Sequence, residues 1–364
     1  VTHTATAGQQ TITGIAFYRT YANAAGYFLI NSTPVPLSGG TAKLTDASTE
    51  PGTTTALESS EWDLPPASPA NLTYAGNGFY VVSSGKDLVF SEPYKPHAWP
   101  YRMTLPSAIV GITMAEGGIL VTTTGLPYLI SGAHPSQMSQ TFLPAEQAGW
   151  SDTAIARVDG SAVYASNDGL VRVSGGQPSI AASQALFRRK DWRDRYGTAR
   201  LNLRLAHHDG LLLGLVDPSY PAVATATPFL INLDAGSGAL TRIDVGQPLY
   251  GASVSGVTDQ LFALTATGFA EFTGGTALTY EWWSGDKLHP SPVNYAAGVV
   301  DAVGSATLYV YADGTLRHTA AVSGRTAFRL PAGDPAYRWS VRLVGTAVVR
   351  EISLGASFAE LKGV

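Results

Sequence analysis

The sequence predicts an all-β chain: a β-propeller of about five to seven blades, with a short N-terminal β segment or arm and a C-terminal β extension. Three observations carry this. One hairpin phrase recurs along the chain. Its turn glycines return at near-regular spacing. The composition favours turns over helices, with 39 Gly and 22 Pro among 364 residues.

The phrase is an apolar strand, a small polar turn with Gly, and a second apolar strand. It runs Tyr80 to Phe90 around Gly85, Leu120 to Ile130 around Gly125, and Val163 to Val173 around Gly169. It returns from Leu261 to Phe272 around Gly268 and from Leu308 to Leu316 around Gly314. The glycine intervals are 40, 44, 99 and 46 residues, so the long one has room for two units. The unit inside it is Leu211 to Asp244, with Leu211–Val216 and Phe229–Leu233 as paired strands. Separate sandwich modules would need roughly 100 residues each and fit this period poorly.

The flanking elements follow in order. Thr11 to Ile30 reads as strand, turn, strand, with Ala24-Ala25-Gly26 at the turn; Phe17 to Tyr21 has the look of a late strand of a fibronectin-like module. Ser32 to Ser60 is rich in Thr, Ser, Gly and Pro and reads as a long linker or extended arm. Trp62-Asp63-Leu64-Pro65-Pro66 gives a stiff approach to the next domain. Phe90 to Pro100 holds three prolines among Phe90, Tyr94, His97 and Trp99, a composition that forbids helix or central strand. It predicts a stiff loop leaving a strand and pinned onto β-structure. Ser183 to Tyr196 is the best helix, with Phe187 and Trp192 to dock it on the rim. The tail from Phe328 to Leu361 alternates like strands and either closes the ring or adds a small β-module. The expected domains are 1–60, 61–300 and 301–364.

The bulk numbers bound the function. Hydrophobic residues are 45% and charged residues only 14%, against about 25% in ordinary soluble domains. A low-charge, turn-rich surface predicts subunit contacts. The absence of Cys rules out disulfides and thiolate metal sites. No apolar run approaches the ~20 residues of a membrane helix. The start, Val1 to Thr6, has no signal-peptide pattern and no initiator Met, which suits a processed product or part of a longer chain.

Chemistry is sparse. His207 and His208 are neighbours, and on a strand they point to opposite faces. Asp63, Glu92, Glu281 and Asp286 are the carboxylates a glycosidase propeller would use, but nothing in their spacing joins them. Ser166-Asn167-Asp168-Gly169 has the residues of a sialidase Asp-box in the wrong order and reads as a turn capped by Asn and Asp side chains. Glu92 is expected to bond backbone or a neighbour's Arg. Tyr280, Trp282 and Trp283 read as core or interface rather than a sugar platform. No catalytic, metal or cofactor residues are assigned. From Arg188 to Arg204 stand seven of the 23 basic residues, with only Asp191 and Asp194 against them. Arg188, Arg189, Lys190, Arg193 and Arg195 read as a solvated face, a subunit contact or a DNA-backbone contact.

Phe90-Ser91-Glu92-Pro93 followed by Pro96-His97-Ala98-Trp99-Pro100 resembles a signature of tailed-phage virion proteins: the β-propeller tail hub or nozzle proteins of short-tailed phages, akin to packaged-DNA stabilisation proteins. Further stretches in the same order include Tyr18 to Tyr21, Trp62 to Pro66, Tyr128 to Gly132, Val163 to Ser166, Trp192, Tyr311 to Gly314, Phe328 to Pro331, Trp339 and Glu360-Leu361. The resemblance covers roughly Thr13 to Leu361; the region before Thr11 is short for it. It implies a non-enzymatic virion component, assembled in the host bacterial cytoplasm as a ring of six copies. Such a ring extends the portal channel, retains and guides DNA, and meets portal or adaptor and fibre or needle proteins. Phe90, Ser91, Glu92, Pro93, Pro96, His97 and Trp99 are its motif or interface residues. The alternative is a polysaccharide-binding or polysaccharide-degrading propeller that serves as a receptor-binding protein.

Overall fold

A computed structural model describes residues 13–20, 26–38, 42–47, 55–144, 147–180, 188–218, 228–232, 240–243, 245–331, 333 and 335–361. The chain divides into two compact units, Val1–Phe272 and Thr273–Val364. The expected boundary at 300 falls inside one continuous strand, Ala297–Ala312, and the division lies 28 residues earlier.

In the first unit, Gly14–Ile15 pairs with Val35–Pro36, and Tyr18–Arg19 pairs with Phe28–Leu29. The stretch expected as a linker folds back on this hairpin. The Leu29 N–H donates to the Thr55 carbonyl (2.9 Å), the Leu57 N–H donates to the Tyr27 carbonyl (2.7 Å), and Arg19 pairs with Asp46 at 2.6 Å. A polar composition did not keep it loose, because backbone groups need partners whatever the side chains are. The turn expected at Ala24-Ala25 lies outside the described residues.

Five antiparallel meanders follow. Blade 1 is Ala70–Tyr74, Tyr80–Ser84, Asp87–Phe90 and Tyr101–Thr104. Blade 2 is Ile109–Ala115, Gly118–Thr123, Tyr128–Ser131 and Ser139–Phe142. Blade 3 is Ile155–Val158, Ser161–Ser166, Gly169–Ser174 and Gln177–Ile180. Blade 4 is Leu203–His208, Leu211–Val216, Phe229–Asn232 and Leu240–Arg242. Blade 5 has three strands, Gly251–Val254, Leu261–Thr265 and Gly268–Glu271. First strands of successive blades lie side by side, and each pair of neighbouring blades shares a hydrophobic core. This is propeller architecture. The second strand of blade 3, Ser-Ala-Val-Tyr-Ala-Ser, is buried along its whole length because a blade covers each face; that is why these strands read as continuous apolar runs. Asp159-Gly160 and Asp209-Gly210 join first to second strands with positive φ at both residues, the geometry of tight hairpins.

Helix α1 spans Arg189–Tyr196; the first part of the expected helix, Ser183 to Phe187, lies outside the described residues. Trp192 does not dock on a rim. It is fully buried between blades 3 and 4, stacked on Trp150 at 5.3 Å and against Tyr196 and Phe229. Its indole N–H donates to the Ser166 carbonyl (2.9 Å), so the one polar atom of the largest core side chain is satisfied.

The second unit is one six-stranded antiparallel sheet: Tyr280–Trp283, Lys287–Val293, Ala297–Ala312, Thr315–Arg329, Ala336–Gly345 and Val348–Gly355. Ala297–Ala312 is its spine. It pairs along its length with Thr315–Arg329, and on its other edge with Val348–Gly355 and then Ala336–Gly345. The hairpin phrase around Gly314 therefore belongs to this sheet and is not a blade. Its interval matched the period, but a hairpin turn alone does not identify the sheet it joins.

Trp192→Ala is expected to lower stability by about 3–5 kcal/mol, the usual cost of emptying an aromatic site. Trp192→Phe should cost less. Denaturant midpoints followed by circular dichroism check this; a loss below about 1 kcal/mol would show that the aromatic stack does not hold the two blades.

Candidate functional site

In an up-and-down meander, turns between strands 1 and 2 and between 3 and 4 lie at one end, and turns 2–3 and the blade connections lie at the other. The Phe90 to Pro100 loop is a 3–4 connection. Helix α1 lies on a connection between blades. Topology thus puts the two sequence-predicted groups at opposite ends of the propeller, and they do not form one site.

The loop is pinned throughout. The Glu92 N–H donates to Ala98 O (2.8 Å), Tyr94 N–H to Gly78 O (2.7 Å), Ala98 N–H to Lys95 O (3.0 Å) and Trp99 N–H to Asp63 O (2.9 Å). Phe90 and Trp99 are buried, and the Trp99 indole N–H donates to Pro96 O (2.9 Å). Buried Ser91 accepts the Tyr80 N–H through Oγ (2.9 Å). The Glu92 carboxylate accepts from the Tyr101 hydroxyl of the same chain (2.8 Å). His97 is exposed and meets Trp62 edge-on at 5.2 Å. Lys95 lies over the same indole at 4.5 Å and pairs with Glu58 at 2.5 Å, which holds Glu58 below the ordinary carboxylate range. Pro93 is half-buried and Pro96 exposed. Pro96 lines an open cleft of about 400 Å³ with Tyr74, Gly78, Tyr80 and Tyr94. Tyr94 adopts φ +61°, is 83% exposed, and lays its ring on Gly78. A left-handed Tyr costs of order 1–3 kcal/mol, and the surrounding bonds hold it there.

At the other end, Arg188, Arg189, Lys190 and Arg193 are exposed and Arg195 half-buried. Their charge is partly cancelled. Arg189 pairs with Asp168, and Lys190 pairs with Asp194, which raises the Lys190 pKa. Asp168 belongs to the Ser166–Gly169 turn. That turn is capped by the Ser166 hydroxyl, which donates to Gly169 O (2.9 Å) and accepts from Asp168 N–H (3.2 Å). Asn167 and Asp168 do not cap it but reach outward, Asn167 accepting from the Trp150 indole (3.0 Å) and Asp168 from Gln147. A second open cleft, about 530 Å³, lies between blades 4 and 5 and holds the Arg204–Asp217 pair at 3.3 Å.

The other candidates stay apart. His207 faces Asp159 (3.3 Å) and His208 bonds the Asp259 carbonyl (2.8 Å), one on each side of their strand. Among the described residues, no three metal-ligating side chains converge, and no helix is long and apolar enough to cross a membrane. Asp286 pairs with Arg338 at 3.5 Å.

Of the aromatics read as core or interface, Trp283 is not core. Tyr280 packs on the core, but Trp283 is 50% exposed, on the sheet face opposite the core. Register places Trp283, Arg342 and Tyr309 directly opposite one another on three adjacent strands. The Arg342 guanidinium lies 5.4 Å from the Trp283 ring and 4.9 Å from the Tyr309 ring. It donates twice to Glu281 (3.0 Å each), which also accepts the Trp283 indole N–H (2.6 Å). Both contacts hold Glu281 below the ordinary carboxylate range. Tyr311 packs on Trp283 at 5.1 Å. Nothing in the sequence joined these residues, because the partner strand is some 60 residues away.

No family model matches the chain, and no curated protein does. Among solved structures, the N-terminal domain of Nup159 is similar over 78% of this chain and 90% of its own, at 12% identity and a TM-score of 0.32. An exo-β-1,3-galactanase from Phanerochaete chrysosporium, solved with β-1,3-galactotriose, is similar over 79% and 95%, at 7% identity and a TM-score of 0.32. YCF48 from Cyanidioschyzon merolae is similar over 56% and 50%, at 13% identity and a TM-score of 0.26. Likenesses this faint say nothing about activity.

Gly78→Ala tests whether the pinned loop and the tyrosine cleft are one unit. Its Cβ would meet the Tyr94 ring at 2.7 Å from a backbone at φ +81°. The expected result is a loss of about 1–3 kcal/mol, with Tyr94 displaced in a crystal structure. An unchanged melting curve would contradict it.

Proposed function

We propose that the chain is a structural subunit of a multi-copy assembly, a tail hub or nozzle of the phage kind its sequence resembles, and that it catalyses no reaction. The observation that carries this reading is exposed apolar surface on a chain with 14% charged residues. Val257 is 95% exposed and Phe269 74%, and Leu64, Leu72 and Phe142 are also exposed. Phe269 lies on the outermost described strand of blade 5, whose other flank carries no strand among the described residues. Large apolar side chains on an open strand edge are a liability in a monomer and an asset at an interface.

In this reading six copies form a ring that continues a portal channel, meets portal or adaptor and fibre or needle proteins in the virion, and passes DNA. The pinned Phe90 to Pro100 loop supplies stiffness. The ion pairs of Arg189 and Lys190 mute phosphate binding at the basic end, as a conduit requires if DNA is to leave it.

Light scattering of the purified chain should give a multi-subunit mass, and electron images should show rings. Phe269→Asp with Val257→Asp should shift the mass toward monomer without changing circular dichroism. A monomer at every concentration up to the solubility limit would contradict the proposal.

A further inference from the structure

The solvent face of the C-terminal sheet carries a feature that a channel subunit does not need. Trp283 is half exposed, yet it is not loose. Its indole N–H is fixed by Glu281, Glu281 is gripped by both arms of Arg342, and Arg342 is held between Trp283 and Tyr309. The core lies on the other face, built from Leu308, Val310, Val341 and Leu343, so the Trp283 ring is not serving it. Holding an aromatic rigid and half in water forgoes burial of its apolar area. What is gained is a preorganised flat surface.

The chemistry of that surface narrows its ligand. The charges of Glu281 and Arg342 cancel within one ion pair, so the patch attracts neither a polyanion nor a polycation. Aromatic faces from Trp283 and Tyr311 adjoin hydroxyl-bearing neighbours, with Ser340 on the same face. A carboxylate gripped by one Arg retains acceptor capacity. Flat apolar rings flanked by neutral donors and acceptors match the two sides of a pyranose: a C–H face that stacks and equatorial hydroxyls that hydrogen-bond. We propose that this face is a binding site for a neutral polysaccharide, with Trp283 as the stacking residue, Tyr311 beside it, and Glu281 and Arg342 as positioning residues. The site goes beyond the structural role proposed above and does not depend on it.

The test is affinity electrophoresis of the full chain in native gels containing β-glucan, arabinogalactan or dextran, with heparin as the polyanion control. At least one neutral gel should retard the protein. Trp283→Ala should weaken that retardation at least about tenfold, as expected of a central contact. Glu281→Gln should weaken it less and, by leaving the Arg342 charge without its carboxylate partner, should let heparin retard the protein, a change of ligand preference that a merely structural role would not produce. Trp282→Ala, on the other face of the strand, should leave retardation unchanged. Retardation in none of the neutral gels, retardation by heparin alone, or neutral-gel retardation that survives Trp283→Ala would each overturn the proposal. A Trp283→Ala chain that loses subunit mass by light scattering and shows no glycan effect would make the face a subunit interface instead. Ring assembly with no glycan binding would leave the structural reading standing and sink only this one.

Discussion

The main cores of the propeller are each made by two consecutive blades, because a four-stranded sheet is too thin to bury two apolar faces by itself. Blade 1 adds one small cluster of its own, Val82, Val89 and Trp99. The shared core is the constraint on which the rest depends. It forces middle strands to be apolar on both faces, which is why the hairpin phrase lacks strict alternation. It also gives helix α1 its place. Trp192 and Tyr196 project into the core shared by blades 3 and 4, while the basic residues of the same helix face outward. One short helix thus carries packing on one side and charge on the other, the usual amphipathic arrangement.

Much of this was legible in the sequence. Five of the six hairpins read from the turn glycines and from the Leu211 to Asp244 stretch are paired strands in the propeller. The sixth, at Gly314, is a real hairpin in a different sheet. Local turn chemistry fixes which strands are adjacent in the chain; it carries no information on which core they serve. Asp159-Gly160 and Asp209-Gly210 were signals of the same quality that marked the starts of blades 3 and 4. The Ser32 to Ser60 stretch misleads for a related reason: its described residues are held by backbone bonds and by the Arg19–Asp46 and Lys95–Glu58 pairs, and composition registers neither.

The sites were less legible than the fold. The proline-rich loop reveals its stiffness in sequence, and its bonds to Gly78 and Asp63 give that stiffness an anchor. The left-handed Tyr94 is invisible in sequence, since the residue type argues against it. The Trp283 surface depends on a register between strands 60 residues apart, and period-2 reasoning on Tyr280–Trp283 alone cannot say which face is covered.

The stiffness of the propeller's end is the claim on which the account rests, and amide hydrogen exchange reads it directly. The N–H groups of Glu92, Tyr94, Ala98 and Trp99 are all bonded to backbone carbonyls, as strand amides are. They should exchange as slowly as the amides of Asp87–Phe90 and Tyr101–Thr104, the two strands that the loop connects. Exchange at the rate of an unprotected loop, while those strands stay protected, would contradict the account.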